Sequence, residues 1–213
     1  MNEVTLRPAS EADADFLAWT IFTASRGHLA RGWFDIVLAR PESFCLDFCR
    51  RLTLAKARSW WHWSLFHVAE VDGAPASALC VFGDESVYDA SADAMAEASR
   101  GSGLSREQHK QLWPRGAFIL SCTTGEDGAW TIENVATRPE HRGRGVTQAL
   151  LQRGLELGRA AGFHRAQISF LIGNLAGERA YAKAGFTFAE EARAPEFEAA
   201  MAVPGLKRFA QDI

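Results

Sequence analysis

Residues 130 to 172 admit few folds. "WTIENVAT" (130–137) has strand character, "VTQALLQRGLELGRAAG" (146–162) has helical periodicity, and "AQISFLI" (166–172) reads as the next strand. A strand, a helix and a returning strand in one sheet require a parallel pair joined by a right-handed crossover, so the chain is an α/β protein. Ahead of the helix stands "PEHRGRG" (139–145), in which Arg142 and Arg144 alternate with Gly143 and Gly145. The first amides of a helix have no partner inside it, and its dipole favours negative charge there. The glycines permit unusual backbone angles and leave room for close approach, while the arginines suit phosphate oxygens. A phosphate-bearing ligand follows from that order. The plainer alternative is a glycine-rich turn with solvated arginines. No Gly-Lys-Ser/Thr follows, so this is not a Walker loop, and the spacing does not fit a dinucleotide fingerprint.

The chain upstream alternates differently. "VTLRP" (4–8) predicts a short strand, and "ASEADADFLAWTIFTAS" a helix capped by Ser10 with Phe16, Leu17 and Ile21 on one side. Residues 33–58 are helical in pattern, with Phe34, Val37, Leu38, Phe44, Phe48 and Leu52 as the apolar positions. "FHVAEVDGAPASALCVFG" is a hairpin about Asp72-Gly73. The Ala- and Ser-rich segment 84–113 interrupts the strand series as helix or mobile chain, and "AFILSC" (117–122) resumes it. On the crossover helix, Val146, Ala149, Leu150, Gly154, Leu157 and Ala161 form the packing face, with Gly154 allowing close approach. "NLAGERAYAKAG" is a short helix closed by Gly185. Several antiparallel strands followed by one crossover give a mixed sheet within a single domain spanning 1–213.

With 23 basic and 26 acidic residues, net charge −3, the chain has no global affinity for nucleic acid or membrane, so any anion site is local. No apolar run reaches membrane-spanning length, and "MNEVTLRPAS" lacks a signal peptide's apolar core, so a cytoplasmic protein is expected. Cys45, Cys49, Cys80 and Cys122 lack the paired spacing of a zinc site and read as buried thiols, and no metal is expected.

The run from Ile132 to Phe188 resembles the GNAT superfamily of acyl-CoA-dependent N-acyltransferases. "ENVATRPEHRGRGVTQALL" is similar to that family's strand, pyrophosphate loop and helix. "NLAGERAYAKAGF" is similar to its later segment, with Asn174, Ala176, Tyr181, Lys183, Gly185 and Phe186 in the family's order. The likeness weakens at "VTLRPASEADADFLA" and the 67–82 hairpin, and is absent from 22–66 and 84–113, the expected acceptor-side segments. The family's loop is written Q/R-x-x-G-x-G/A. Started at Arg142, the match ends on Thr147, whose hydroxyl can donate to a phosphate; started at Glu140, an acid replaces the leading residue.

The resemblance implies a mostly antiparallel sheet with two parallel strands, 130–137 and 166–172, splayed around acetyl-CoA as co-substrate. Backbone groups at Val135, Ala136 and Thr137 would meet the pantetheine arm. Arg142, Gly143, Arg144, Gly145, Val146 and Thr147 would take the pyrophosphate, and Asn174 the arm or thioester end. Asn174 as a helix cap is the alternative. The implied reaction is direct attack of an amine, on a small molecule or peptide, with no covalent enzyme intermediate. Tyr181 stands where the family's general acid stands; a phenol with reference pKa near 10 suits a leaving thiolate. A strand amide near Val135 or Ala136, freed by a bulge, would hold the developing oxyanion. Glu133 is the first candidate base, ahead of Asp84, Glu85 and His67.

The aromatic run "SWWHWSLFH" (59–67) is core, acceptor pocket or subunit interface. As a pocket it would suit an apolar or cationic group. A homodimer is compatible with the apolar surplus. The rival to an N-acetyltransferase is a non-catalytic CoA-binding sensor of the same fold.

Overall fold

The computed structural model describes residues 3–213. The chain begins with β1 (Val4–Pro8), a 3₁₀ turn over Glu11–Asp13, and helices α1 (Ala14–Arg26), α2 (Trp33–Leu38) and α3 (Glu42–Thr53). The hairpin β2 (Phe66–Val71) and β3 (Ala74–Phe82) follows, then four short helices: α4 (Ser86–Asp89), α5 (Ser91–Gly101), α6 (Arg106–Lys110) and α7 (Leu112–Gly116). Strand β4 (Trp130–Thr137), helix α8 (Val146–Ala160), strand β5 (Arg165–Leu171) and helix α9 (Leu175–Lys183) make the crossover half. It closes with β6 (Thr187–Arg193), α10 (Pro195–Met201) and β7 (Gly205–Asp212).

The seven strands form one sheet in the order β1-β2-β3-β4-β5-β7-β6, with β4 and β5 its parallel pair. At the β2–β3 turn both Asp72 (φ 53°) and Gly73 (φ 79°) are left-handed, the primed geometry that matches strand twist. The sheet packs α1, α3 and the aromatic run on one face, where Leu17, Ile21, Phe34, Phe48 and Leu52 are buried. On the other face lies α8, with Val146, Leu150, Leu151 and Leu155 inaccessible. Each contributes about 1.5–3 kcal/mol by leaving water.

Two expectations need correction. The packing face of α8 is Val146, Leu150, Leu151, Gly154, Leu155 and Gly158; Ala161 is exposed and Ala149 and Leu157 are only half-buried. The stripe is rotated because Gly158 fits directly over Trp130, where a Cβ would lie 2.7 Å from the indole. Residues 117–121 are a 3₁₀ turn and not a strand. β4 has β3 on one side and β5 on the other, so no place beside it is left for "AFILSC". Phe118 instead meets Phe197 edge-on at 5.6 Å in a small apolar cluster with Leu171 and Met201. A short apolar run carries no periodicity that separates the two outcomes.

Candidate active site

The site begins with an irregularity in β4. Ala78 pairs with Ala136 and Cys80 with Glu133, so β4 uses one residue more than β3 over this interval. The extra residue is a β-bulge at Asn134, whose φ of 52° lies in the left-handed region that Asn tolerates better than most side chains. On its other edge β4 pairs with β5 only at Trp130–Ala166, Thr131–Gln167 and Ile132–Ile168. Both strands run on, to Thr137 and Leu171, without pairing with each other. Glu133 to Thr137 therefore line a fork with backbone groups free to bond an extended chain laid between the strands. Val135 is half-buried there; Ala136 and Thr137 are buried.

At the open end of the fork the chain turns through the glycine loop into α8. Gly143 (φ 74°) and Gly145 (φ 82°) are both left-handed, and nothing lies within 4 Å of where a Cβ would stand on either. The first amide to find a helical carbonyl is Ala149, which donates to Gly145 at 3.0 Å; those of Val146, Thr147 and Gln148 are first-turn donors. An unobstructed helix start beneath two side-chain-free residues fits a pyrophosphate. Arg144 is exposed beside it. Arg142 turns back, its Nε donating to the Thr137 carbonyl at 3.1 Å, which ties the loop to β4.

Thr147 does not offer its hydroxyl outward. The Ser77 hydroxyl donates to the Ala136 carbonyl (3.0 Å) and lies 2.7 Å from Thr137 Oγ1, itself 2.7 Å from Thr147 Oγ1. Each hydroxyl has one proton. With that of Ser77 committed to Ala136, Thr137 donates to Ser77 and Thr147 donates to Thr137. The Thr147 hydroxyl, expected to face a phosphate, is thus turned inward to Thr137, and what Thr147 leaves open at the helix start is its backbone amide.

On the far side of the fork, α9 is held against α8 by Gln148 Nε2 on the Ala180 carbonyl (2.7 Å) and Gln152 Nε2 on that of Ala184 (3.3 Å). Asn174 caps α9, its Oδ1 accepting from the Gly177 amide at 3.1 Å. The cap alternative is therefore occupied, leaving the Asn174 Nδ2 group for any ligand. Gly177, which carries no signal in the local sequence pattern, makes room: a Cβ there would stand 2.9 Å from Asn174 Nδ2 and 3.3 Å from the Tyr181 ring. Tyr181, 8% exposed, lies against Phe170 of β5 at 5.2 Å.

Glu133 faces away from α8, opposite Cys80, and is half-buried. Loss of water pushes its carboxyl up to about 8, with only the Asn134 amide pulling the other way. Burial and then the Glu133 charge push the Tyr181 phenol well above its ordinary value, so it stays protonated. The rivals lie elsewhere. Asp84 is solvent-exposed and accepts from the Ser86 amide, and Glu85 is exposed beside it. His67 is half-buried opposite Leu79 on the α8 side of the sheet, within the field of Arg153. Lys183 is exposed.

Among the described residues no group of His, Cys, Asp and Glu is arranged to hold a metal ion. All four cysteines are free and buried. No described helix is long and apolar enough to cross a membrane.

Comparison with known proteins agrees with this geometry. The model of the acetyltransferase (GNAT) family matches residues 35–186. No curated protein sequence matches the chain. Among solved structures, an N-acetyltransferase from Staphylococcus aureus Mu50 is 18% identical, with 97% of this chain and 100% of that one covered and a TM-score of 0.67. A Salmonella typhimurium protein assigned as an acetyltransferase, solved with its cofactor acetyl-CoA, is 17% identical over 98% and 93%, with a TM-score of 0.56. The polyamine N-acetyltransferase of Drosophila melanogaster is 13% identical over 99% and 100%, also at 0.56. At these identities the likeness is one of fold.

Proposed function

The chain belongs to the GNAT acetyltransferase family, and from that premise we propose that it transfers an acetyl group from acetyl-CoA directly to a primary amine of a small molecule or peptide. Glu133 is the general base and Tyr181 the general acid. The observation that carries the reading is the fork itself: two strands that part next to a bulge, with a carboxyl and a phenol beside the parting, each shifted by burial.

Glu133, deprotonated, takes the proton from the acceptor's ammonium so that its nitrogen can form the C–N bond. A carboxyl near 8 is a far better match to an ammonium than an ordinary one. The amides freed near Val135 and Ala136 receive the charge that develops on the carbonyl oxygen. As the C–S bond breaks, Tyr181 gives its proton to the sulfur. The first-turn amides of α8, with Gly143, Gly145 and Arg144, bind the pyrophosphate; Val135 to Thr137 align the pantetheine arm; Asn174 Nδ2 reaches the arm from the start of α9. When bound, acetyl-CoA supplies the activated acyl group, and the chain supplies position and proton transfer.

Free-thiol release from acetyl-CoA, measured across an amine panel with Tyr181→Phe alongside, tests the proposal. Acceptor-dependent release slowed about 10²-fold by the substitution is the expected result. Tight acetyl-CoA binding with no release from any acceptor would leave a CoA sensor as the function.

A further inference from the structure

The aromatic run and the 84–113 insertion converge on one spot, and that spot adjoins Glu133. Cys80 is the cross-strand partner of Glu133, and its thiol donates to the Trp60 carbonyl at 3.1 Å. The Trp60 amide in turn donates to the Val87 carbonyl at 3.2 Å, which brings the insertion onto the aromatic run. Tyr88, the next residue, lies 5.7 Å from Trp60 and meets Phe82 edge-on at 5.2 Å. Behind them Trp61 sits 4.7 Å from Trp60 and 6.3 Å from Trp33. Trp61 is buried core, but the series opens outward: Trp60 is half-buried and Tyr88 is 43% exposed. An aromatic ledge with the Glu133 carboxyl at its foot and the exposed Glu85 at its rim is what remains.

We propose that the acceptor is a primary amine with no carboxylate on the carbon that bears the nitrogen, its carbon frame lying on Tyr88 and Trp60 while the nitrogen meets Glu133. The inference rests on the acetyl-transfer reading and narrows its substrate. An ammonium is attracted both by aromatic faces and by a carboxylate, so the ledge and its foot ask for the same sign of charge. An α-carboxylate would sit two bonds from the nitrogen, beside Glu133, where like charges at low dielectric repel strongly. Among the described residues the Glu133 carboxylate has only the Asn134 amide to stabilise it; Arg58, whose charge reaches Cys80 and Asp84, is solvent-exposed with its Nε on the Ser64 hydroxyl at 3.0 Å, so water screens it from this spot. The shared field of Glu133 and Tyr88, which after burial is the next cause raising the Tyr88 phenol, agrees with their proximity.

Matched pairs of amine and parent amino acid test this: phenethylamine against phenylalanine, tyramine against tyrosine, cadaverine against lysine. Thiol release by the full chain should give kcat/KM about 100-fold or more higher for the decarboxylated member of each pair, the scale of an unpaired like charge near the reacting nitrogen. Tyr88→Leu, which keeps apolar bulk, should raise KM for phenethylamine about tenfold with kcat little changed, whereas Tyr88→Phe, which keeps the ring, should raise KM far less than Tyr88→Leu does. Comparable turnover of both members of the pairs overturns the proposal and leaves acetyl transfer standing. So does a Tyr88→Leu variant with unchanged KM, for the ledge. Absence of thiol release from every amine overturns the acetyl-transfer reading together with this one.

Discussion

The two sides of the fork are built by different means. The proposed cofactor side, from β4 through the glycine loop into α8, is a matter of backbone: a bulge at Asn134, left-handed Gly143 and Gly145, and a helix start whose first-turn amides are open. Its parts lie within about a dozen consecutive residues. The acceptor side is a matter of side chains. Trp60, Phe82 and Tyr88 come from three separate stretches of chain and gather beside the Cys80–Glu133 pair only because β3 and β4 pair. A ligand common to a whole family can be held by main-chain groups that any sequence supplies, while a ligand particular to one member needs side chains, which diverge.

Glu133 belongs to both sides, and changing it should produce the largest loss. Glu133→Gln removes the base while keeping shape, so kcat/KM should fall about 10²- to 10⁴-fold. In the unaltered chain kcat/KM should climb with pH and level off above about 8, as the carboxyl loses its proton. The same shift has a stability signature of opposite sense. Folding holds this carboxyl protonated above its ordinary 4.5, so the folded state binds the extra proton between about 4.5 and 8 and stability declines as pH rises through that window. Glu133→Gln should therefore have the higher Tm at pH 9, with the difference vanishing near pH 4.5. A variant that lost activity without this pH-dependent difference in Tm would mean that the Glu133 carboxyl is not held out of water. Calorimetry and initial rates on the same samples separate the cases.

A smaller effect should sharpen the contrast between the two sides. Gly145→Ala forces a Cβ into a left-handed residue, a strain of about 1–2 kcal/mol, at the residue that opens α8. CoA should bind about tenfold more weakly by calorimetry, while KM for the amine stays as it was at saturating acetyl-CoA. If the acceptor KM moved as much as the CoA affinity, the division into two independently built sides would be wrong.

This division also explains what could be read in advance. Strands 4–8, 66–82, 130–137 and 166–172, the helix after Ser10, the crossover helix, the helix closed at Gly185 and the glycine loop show in the local pattern, and the structure has elements at those positions; β6, α10 and β7 were not anticipated. The orientation of Thr147 could not be read, because its hydroxyl is spoken for by Thr137 and Ser77, the latter 70 positions upstream in a strand that joins it only through the sheet. The fate of 117–121 was hidden for a similar reason: an apolar hexapeptide becomes a strand only where a sheet edge is vacant, and vacancy is a property of the whole topology. Tyr88 sits in a polar, alanine-rich stretch with no signal of its own; only its approach to Trp60 and the Cys80–Glu133 pairing gives it meaning. Asn134 was legible in principle, as a strand residue of a type that tolerates a left-handed backbone.

Thr147 offers the smallest effect and the most direct challenge to the view that the cofactor side is backbone alone. Its hydroxyl, with those of Thr137 and Ser77, fastens the first turn of α8 to β4 and β3. Thr147→Val keeps the shape and removes one half-buried hydrogen bond, worth about 1 kcal/mol. CoA affinity should therefore fall about fivefold while kcat at saturation is unchanged. Ser77→Ala breaks the same chain at its other end, so the double variant should lose little more than either single one, the non-additivity of groups that act as a unit. Acetyl-pantetheine, which has no pyrophosphate, reports whether the chain serves the helix start or the strand. If Thr147→Val raises the KM for acetyl-CoA and leaves that for acetyl-pantetheine alone, the hydroxyls position the amides of α8. Equal losses with both would mean that they hold β4 in place, and that the cofactor side, like the acceptor side, depends on side chains brought from far along the chain.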